Sequence, residues 1–128
     1  MKCLETSFLI DVLRKDPGAV AKANQFEASG ERLSIAAPTL AEILQGAYSR
    51  GGTDLREAME VLAGLEVLDL DEPAATEAGR LGAELLRRGL SVPTVDLLIA
   101  ATARVNQATL VTRDRAFSRI PDLAVETY

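Results

Sequence analysis

Lys2-Cys3-Leu4-Glu5-Thr6-Ser7-Phe8-Leu9-Ile10-Asp11-Val12-Leu13 sets two different periodicities back to back. Lys2 to Glu5 is a short, apolar-centred run of the kind that forms a strand. Ser7 to Lys15 places Leu9, Val12 and Leu13 on one helical face and stops at Asp16-Pro17-Gly18. A strand that feeds directly into a helix is the building unit of an α/β sheet. The unit recurs downstream. Leu33 to Ala36 predicts a second strand, and Pro38 opens a helix with Leu40, Ile43, Leu44 and Ala47 at i, i+3, i+4 and i+7. Val67 to Leu70 predicts a third strand, Thr109 to Val111 a fourth and Leu123 to Glu126 a fifth.

Between the strands the spacing predicts helices over about Gly18–Ser29, closed by Gly30, and about Asp54–Ala63, after a break at Ser49–Gly52. Another starts at Asp71-Glu72-Pro73, carries Ala74, Ala78, Leu81 and Leu85, and ends near Gly89. Thr94 to Asn106 is apolar nearly all round and should be buried on two sides, while Asp114 to Arg119 is one or two helical turns. Strands joined by helical crossovers imply a mainly parallel sheet with helices on both faces.

The 128 residues fit one domain, spanning 1–128, with a core built without disulfides. Aromatic residues are only 4% of the chain and tryptophan is absent, so that core must be Leu, Val, Ile and Ala. No histidine is present, which excludes Ser/His/Asp and Cys/His catalysis, histidine-based ribonuclease chemistry and His-ligated zinc. The one cysteine, Cys3, excludes an internal disulfide or a thiolate cluster and reads as a small core residue. No apolar run approaches the roughly 18 residues that span a bilayer, and the N-terminus lacks a signal-peptide stretch, so the expectation is a cytoplasmic protein with no membrane contact. A net charge of −5 argues against nucleic-acid binding driven mainly by phosphate neutralisation, although a clustered acidic site biases such a total.

In open parallel sheets, sites form beyond the carboxyl ends of the strands. Four acids lie at such positions: Glu5 after the first strand, Glu42 in the first turn of the helix after the second, Asp96 in the first turn of the apolar helix, and Asp114 three residues after Val111. Four neighbouring carboxylates need compensation, and a hard divalent cation, Mg²⁺ or Mn²⁺, provides it. With histidine absent, metal-assisted phosphodiester hydrolysis is the chemistry this inventory supports. Each acid also has a structural reading. Thr39-x-x-Glu42 matches a capping box, and Glu42 is equally suited to simple exposure. Asp96 suits the positive end of a helix dipole, and Asp114 suits an N-cap. Glu5 is hardest to explain structurally, because an unpaired carboxylate ending a central strand is costly. Asp11 lies off the apolar stripe and reads as solvated.

Met1 to Asp11, Thr39-Leu40-Ala41-Glu42-Ile43, Asp96-Leu97-Leu98-Ile99-Ala100-Ala101-Thr102-Ala103 and Leu110-Val111-Thr112-Arg113-Asp114-Arg115-Ala116-Phe117 together resemble the PIN domain, and within it the VapC-type toxins of prokaryotic toxin–antitoxin pairs. The resemblance implies a three-layer α/β/α fold around a five-stranded parallel sheet. It also implies an Mg²⁺- or Mn²⁺-dependent endoribonuclease, a homodimer, an RNA substrate and neutralisation by a cognate antitoxin protein. The metal-binding acids would then be Glu5, Glu42, Asp96 and Asp114. Thr6 and Thr112 match small hydroxyl positions beside the cleft, and Ser7 is a candidate cap for the first helix. Arg113 leads the candidates for holding the RNA backbone, ahead of Arg14, Arg87, Arg88 and Arg115. One departure stands out: the family's first acid is almost always aspartate, and here it is Glu5. The alternatives are a PIN nuclease of RNA processing or DNA repair, and a catalytically weakened PIN-fold binding module, for which Glu5 is the support. A flavodoxin-like binding domain is disfavoured because no Gly-rich phosphate loop follows the first strand.

Overall fold

A computed structural model describes residues 1–128. Five short strands, β1 (Lys2–Leu4), β2 (Leu33–Ala36), β3 (Glu66–Leu68), β4 (Thr109–Val111) and β5 (Val125–Glu126), form one sheet in the order β3-β2-β1-β4-β5. Every pairing is parallel. From β1 the chain builds outward through β2 to β3, then returns to the other side of β1 for β4 and β5. The strand order therefore reverses between β1 and β4, which is where a crevice opens beyond the strand ends.

The period-two alternation of the strands sorts side chains into two cores. Cys3, Ala36 and Leu110 face one side, where helices α5 (Glu72–Arg87) and α6 (Thr94–Val105) supply Ala78, Leu81, Leu85, Ile99, Ala100 and Ala103. Leu4, Ile35 and Val111 face the other side. There helices α1 (Thr6–Leu13), α2 (Pro17–Ala28), α3 (Ala37–Arg50) and α4 (Gly52–Ala63) supply Phe8, Leu9, Phe26, Ile43, Ala47, Ala58 and Leu62. The result is the three-layer α/β/α arrangement. Burial pushes the Cys3 thiol up to about 11, so it is inert filling.

Small residues let the second layer close tightly. A Cβ at Gly82 would stand 3.0 Å from Leu97 Cδ1, so α5 approaches α6 at a point where only glycine fits without displacement. Ala100 and Ala101 are fully buried in this layer, so this small-residue face of α6 packs inside the protomer. Gly51, at φ 68°, makes the left-handed turn that folds α4 back from α3.

Some boundaries differ from the sequence expectation. β3 ends at Leu68 rather than Leu70, because it is an edge strand and residues beyond its register have no partner. The segment after Asp114 winds as a 3-10 turn, Arg115–Arg119, and β5 is reduced to Val125–Glu126. α3 begins at Ala37, one residue before Pro38, and runs on to Arg50. No helix is long and apolar enough to cross a membrane.

Candidate active site

The crevice between β1 and β4 is built around Glu5. Its backbone N–H donates to Val111 O at 3.0 Å, continuing the β1–β4 ladder, and its extended φ/ψ (−82°, 161°) makes it the N-cap of α1. Oε2 accepts from Ser7 N at 2.9 Å, Ser7 Oγ at 2.5 Å and Thr112 Oγ1 at 2.7 Å. Three donors stabilise a carboxylate that is only 5% exposed. The first helix is thus capped by Glu5, and the expectation of a Ser7 cap is corrected. The longer glutamate side chain reaches back to a site that Asp or Asn normally fills, and Ser7 adds its hydroxyl to the same oxygen.

Glu42 stands in the second turn of α3, not the first. The helix is entered from Ala36, which makes no side-chain cap, so the Thr39–Glu42 capping box is not formed. Thr39 is buried, and Glu42 Oε1 instead accepts from Thr6 Oγ1 at 2.6 Å, tying α3 to the start of α1. Asp114 does cap its own turn, Oδ1 accepting from Ala116 N at 2.9 Å, while its N–H donates to Thr112 Oγ1 at 3.0 Å. Thr112 therefore spans the crevice, donating to Glu5 and accepting from the Asp114 backbone.

Asp96 lies half-buried in the first turn of α6, after Pro93, which provides no side-chain cap. Burial is the largest influence on it, followed by the charges of Asp114, Glu5 and Glu42, and together they push its pKa up to about 6. No hydrogen bond offsets them. The charges of Asp114, Glu5 and Glu42, each from a different element, thus reach Asp96. The four acids do not close into a ligand shell: no three acidic side chains converge on a point from which one ion could be held. Like charges repel at this range, and Glu5, Glu42 and Asp114 are each held by a local donor through one oxygen. The donor set itself, all carboxylate and with Asp96 uncompensated, fits a hard divalent cation.

Asp11 is not the solvated residue its position implied. Its side chain is 14% exposed and accepts from Arg113 Nε at 2.7 Å and from Tyr128 Oη at 2.6 Å. Burial would raise its pKa, but the hydrogen bonds and charge of Arg113 and the Tyr128 hydroxyl outweigh that and hold it below the ordinary value. Arg113, expected to be free for RNA, thus spends part of its guanidinium on α1. Arg88 pairs with Glu84 along α5 at 2.9 Å, whereas Arg14, Arg87 and Arg115 are exposed. Beside Glu42 a cavity of about 330 Å³ lies between α1, α3 and α4, with Ile10, Leu13 and Ile43 as apolar walls and Arg14 and Arg50 among its lining. Arg50, at the end of α3, escaped the sequence reading because its pairing with Asp54 at 3.0 Å depends on the turn at Gly51–Gly52 that brings α4 back beside it.

The family model of the PIN domain matches residues 2–123. The chain belongs to the PIN-domain family. Over 128 residues it is 31% identical to the tRNA(fMet)-specific endonuclease VapC of Salmonella typhimurium, covering 98% of this chain and 96% of that protein. It is 30% identical to ribonuclease VapC2 of Rickettsia felis over the same shares. Among solved structures, VapBC2 from Rickettsia felis bound to a promoter DNA fragment superposes with a TM-score of 0.85 at 29% identity, covering 99% of this chain and 98% of that one. DNA-bound VapBC from Salmonella typhimurium gives 0.83 at 30% identity, with the same coverage. In this PIN domain the α/β/α layers and the all-parallel sheet are therefore shared with toxins held in antitoxin complexes.

Proposed function

We propose that this PIN domain is a VapC-type endoribonuclease, the toxin of a toxin–antitoxin pair, acting on RNA in the cytoplasm with Glu5, Glu42, Asp96 and Asp114 holding a divalent cation, Mg²⁺ or Mn²⁺. The observation that carries it is the placement of Glu5, Glu42 and Asp114, from three other elements, close enough for their charges to act on half-buried Asp96, in a chain of this family. When bound, such an ion polarises a phosphodiester and lowers the pKa of water. The side chains supply the rest. Glu5 is fixed by three donors that all fall on Oε2. Thr6 orients Glu42, and Thr112 sets Asp114 against Glu5. Asp96, with no donor of its own, gains most from a counter-charge. The exposed edge of Arg113 faces solvent next to Asp114 and is placed to contact an RNA phosphate.

The relatives' names make tRNA the first substrate to try, and their complexes make a small antitoxin the expected partner; a homodimer follows from the family resemblance. The test is cleavage of tRNA with Mn²⁺ by the purified chain and by Asp96→Asn. Loss in the variant beyond the roughly 100-fold that outer-shell changes reach supports the assignment. Equal cleavage by both removes Asp96 from the chemistry. A second reading, a PIN-fold binding module without turnover, is favoured by one feature: the oxygen Oε2 of Glu5 is saturated as a helix cap. Absence of cation uptake at millimolar Mn²⁺ would select it.

A further inference from the structure

Ser7 and Asp11 lie one turn apart on the same face of α1, and both hold residue 113. Ser7 Oγ accepts from the Arg113 backbone N–H at 3.3 Å; Asp11 accepts from Nε at 2.7 Å and from Nη2 at 3.4 Å. Behind Asp11, Tyr128 donates its hydroxyl to Oδ2, and its ring meets Phe8 edge-on at 4.9 Å. Phe8 is fully buried, so this support is anchored in the core. The residues flanking 113 are Thr112, the donor to Glu5, and Asp114.

We infer that Asp11 is a positioning residue: backed by Tyr128, it clamps Arg113 to α1 and so fixes the Thr112–Asp114 segment, and with it the spacing between Glu5 and Asp114. This rests on the metal reading given above. A fork of two N–H donors on one carboxylate sets direction as well as distance, which a lysine cannot do. A surface ion pair with no positioning duty would leave both its partners free to be replaced at small cost.

The test uses the full chain, Mn²⁺ titration by calorimetry without RNA, thermal melts, and kcat and KM on RNA. Asp11→Asn and Arg113→Lys should each weaken Mn²⁺ binding by about 10–100-fold, the range of outer-shell changes. Asp11→Asn should lower kcat and leave KM unchanged; Arg113→Lys should lower kcat as well, with a rise in KM because Arg113 also faces the RNA. Combined, the two should weaken Mn²⁺ binding no more than either alone, since they break one contact. Tyr128→Phe keeps the ring against Phe8 and should shift Mn²⁺ affinity the same way by a smaller factor; it carries the test if Asp11→Asn fails to fold. Folded variants with unchanged Mn²⁺ affinity overturn the inference. So does an effect of Asp11→Asn confined to KM, which would tie Asp11 to RNA binding alone and not to the spacing between Glu5 and Asp114. A parent chain that takes up no Mn²⁺ overturns the metal reading itself, and this inference with it.

Discussion

At the scale of single residues, Asp96 is the site's least compensated charge. Three other carboxylates face it and nothing donates to it. Asp96→Asn removes that repulsion while keeping the shape, so the protein in EDTA should become more stable at pH 7. The gain should be about 1 kcal/mol after discounting for solvent screening, read by chemical denaturation. An unchanged or lowered stability would mean that the four acids are not in one field. Glu5→Asp makes the complementary case. Aspartate is a better N-cap than glutamate and should keep the bond from Ser7 N, so metal-dependent RNA cleavage should be kept or raised; its abolition would show Glu5 misplaced. Position alone put all four acids forward as candidates, because a strand end in a parallel sheet leaves few other places for a site. Their roles were not legible, since caps and ligands occupy the same joints: Glu5 and Asp114 turn out to cap, and Glu42 does not. Asp11 was invisible because its partners stand 102 and 117 residues away in the chain.

At the scale of elements, what was legible depended on how local the cause was. β2 and β4 were bounded correctly by their own apolar runs, and α5 by Asp71-Glu72-Pro73, whose Asp71 caps the helix by accepting from Ala74 N at 3.0 Å. Asp71→Ala should therefore cost about 1 kcal/mol of stability in a denaturant melt and leave RNA cleavage untouched. A cost in activity as well would mean that α5 transmits to Asp96 through α6. Edge elements were misread because their limits are set by partners. β5 is held by Glu126 as well as by its ladder: the carboxylate accepts from Lys2 Nζ at 2.7 Å and pairs with Lys22 Nζ at 2.9 Å, joining β1 and α2 to the edge. The Lys2 hydrogen bond first, then Lys22 against the opposing effect of burial, holds the Glu126 carboxyl below its ordinary 4.5. A depressed carboxylate contributes its stability above the unfolded value and loses it as pH falls through the folded one. Glu126→Gln should accordingly cost about 1 kcal/mol at pH 7, and the difference should vanish as pH falls through the depressed folded value and the parent carboxyl is protonated too. A difference that persists in acid would assign the effect to packing.

At the scale of the whole molecule, the fold spends stability to bring like charges together, and an ion that binds them returns it. A ligand bound only by the folded state stabilises by about 2.7 kcal/mol at one hundred times its Kd. For a domain of this size that is a rise in Tm of roughly 10 °C. Mn²⁺ added to the parent should produce a shift of that order, whereas matched ionic strength from potassium chloride should produce far less, since it only screens the net charge of −5. Asp96→Asn should start from a higher Tm in EDTA and gain little from Mn²⁺, so the two proteins exchange rank as cation is added. That crossing separates a built site from diffuse attraction to an acidic surface. Parallel rises in parent and variant would place the bound cation away from Asp96, and the crevice between β1 and β4 would then lose its claim to the chemistry.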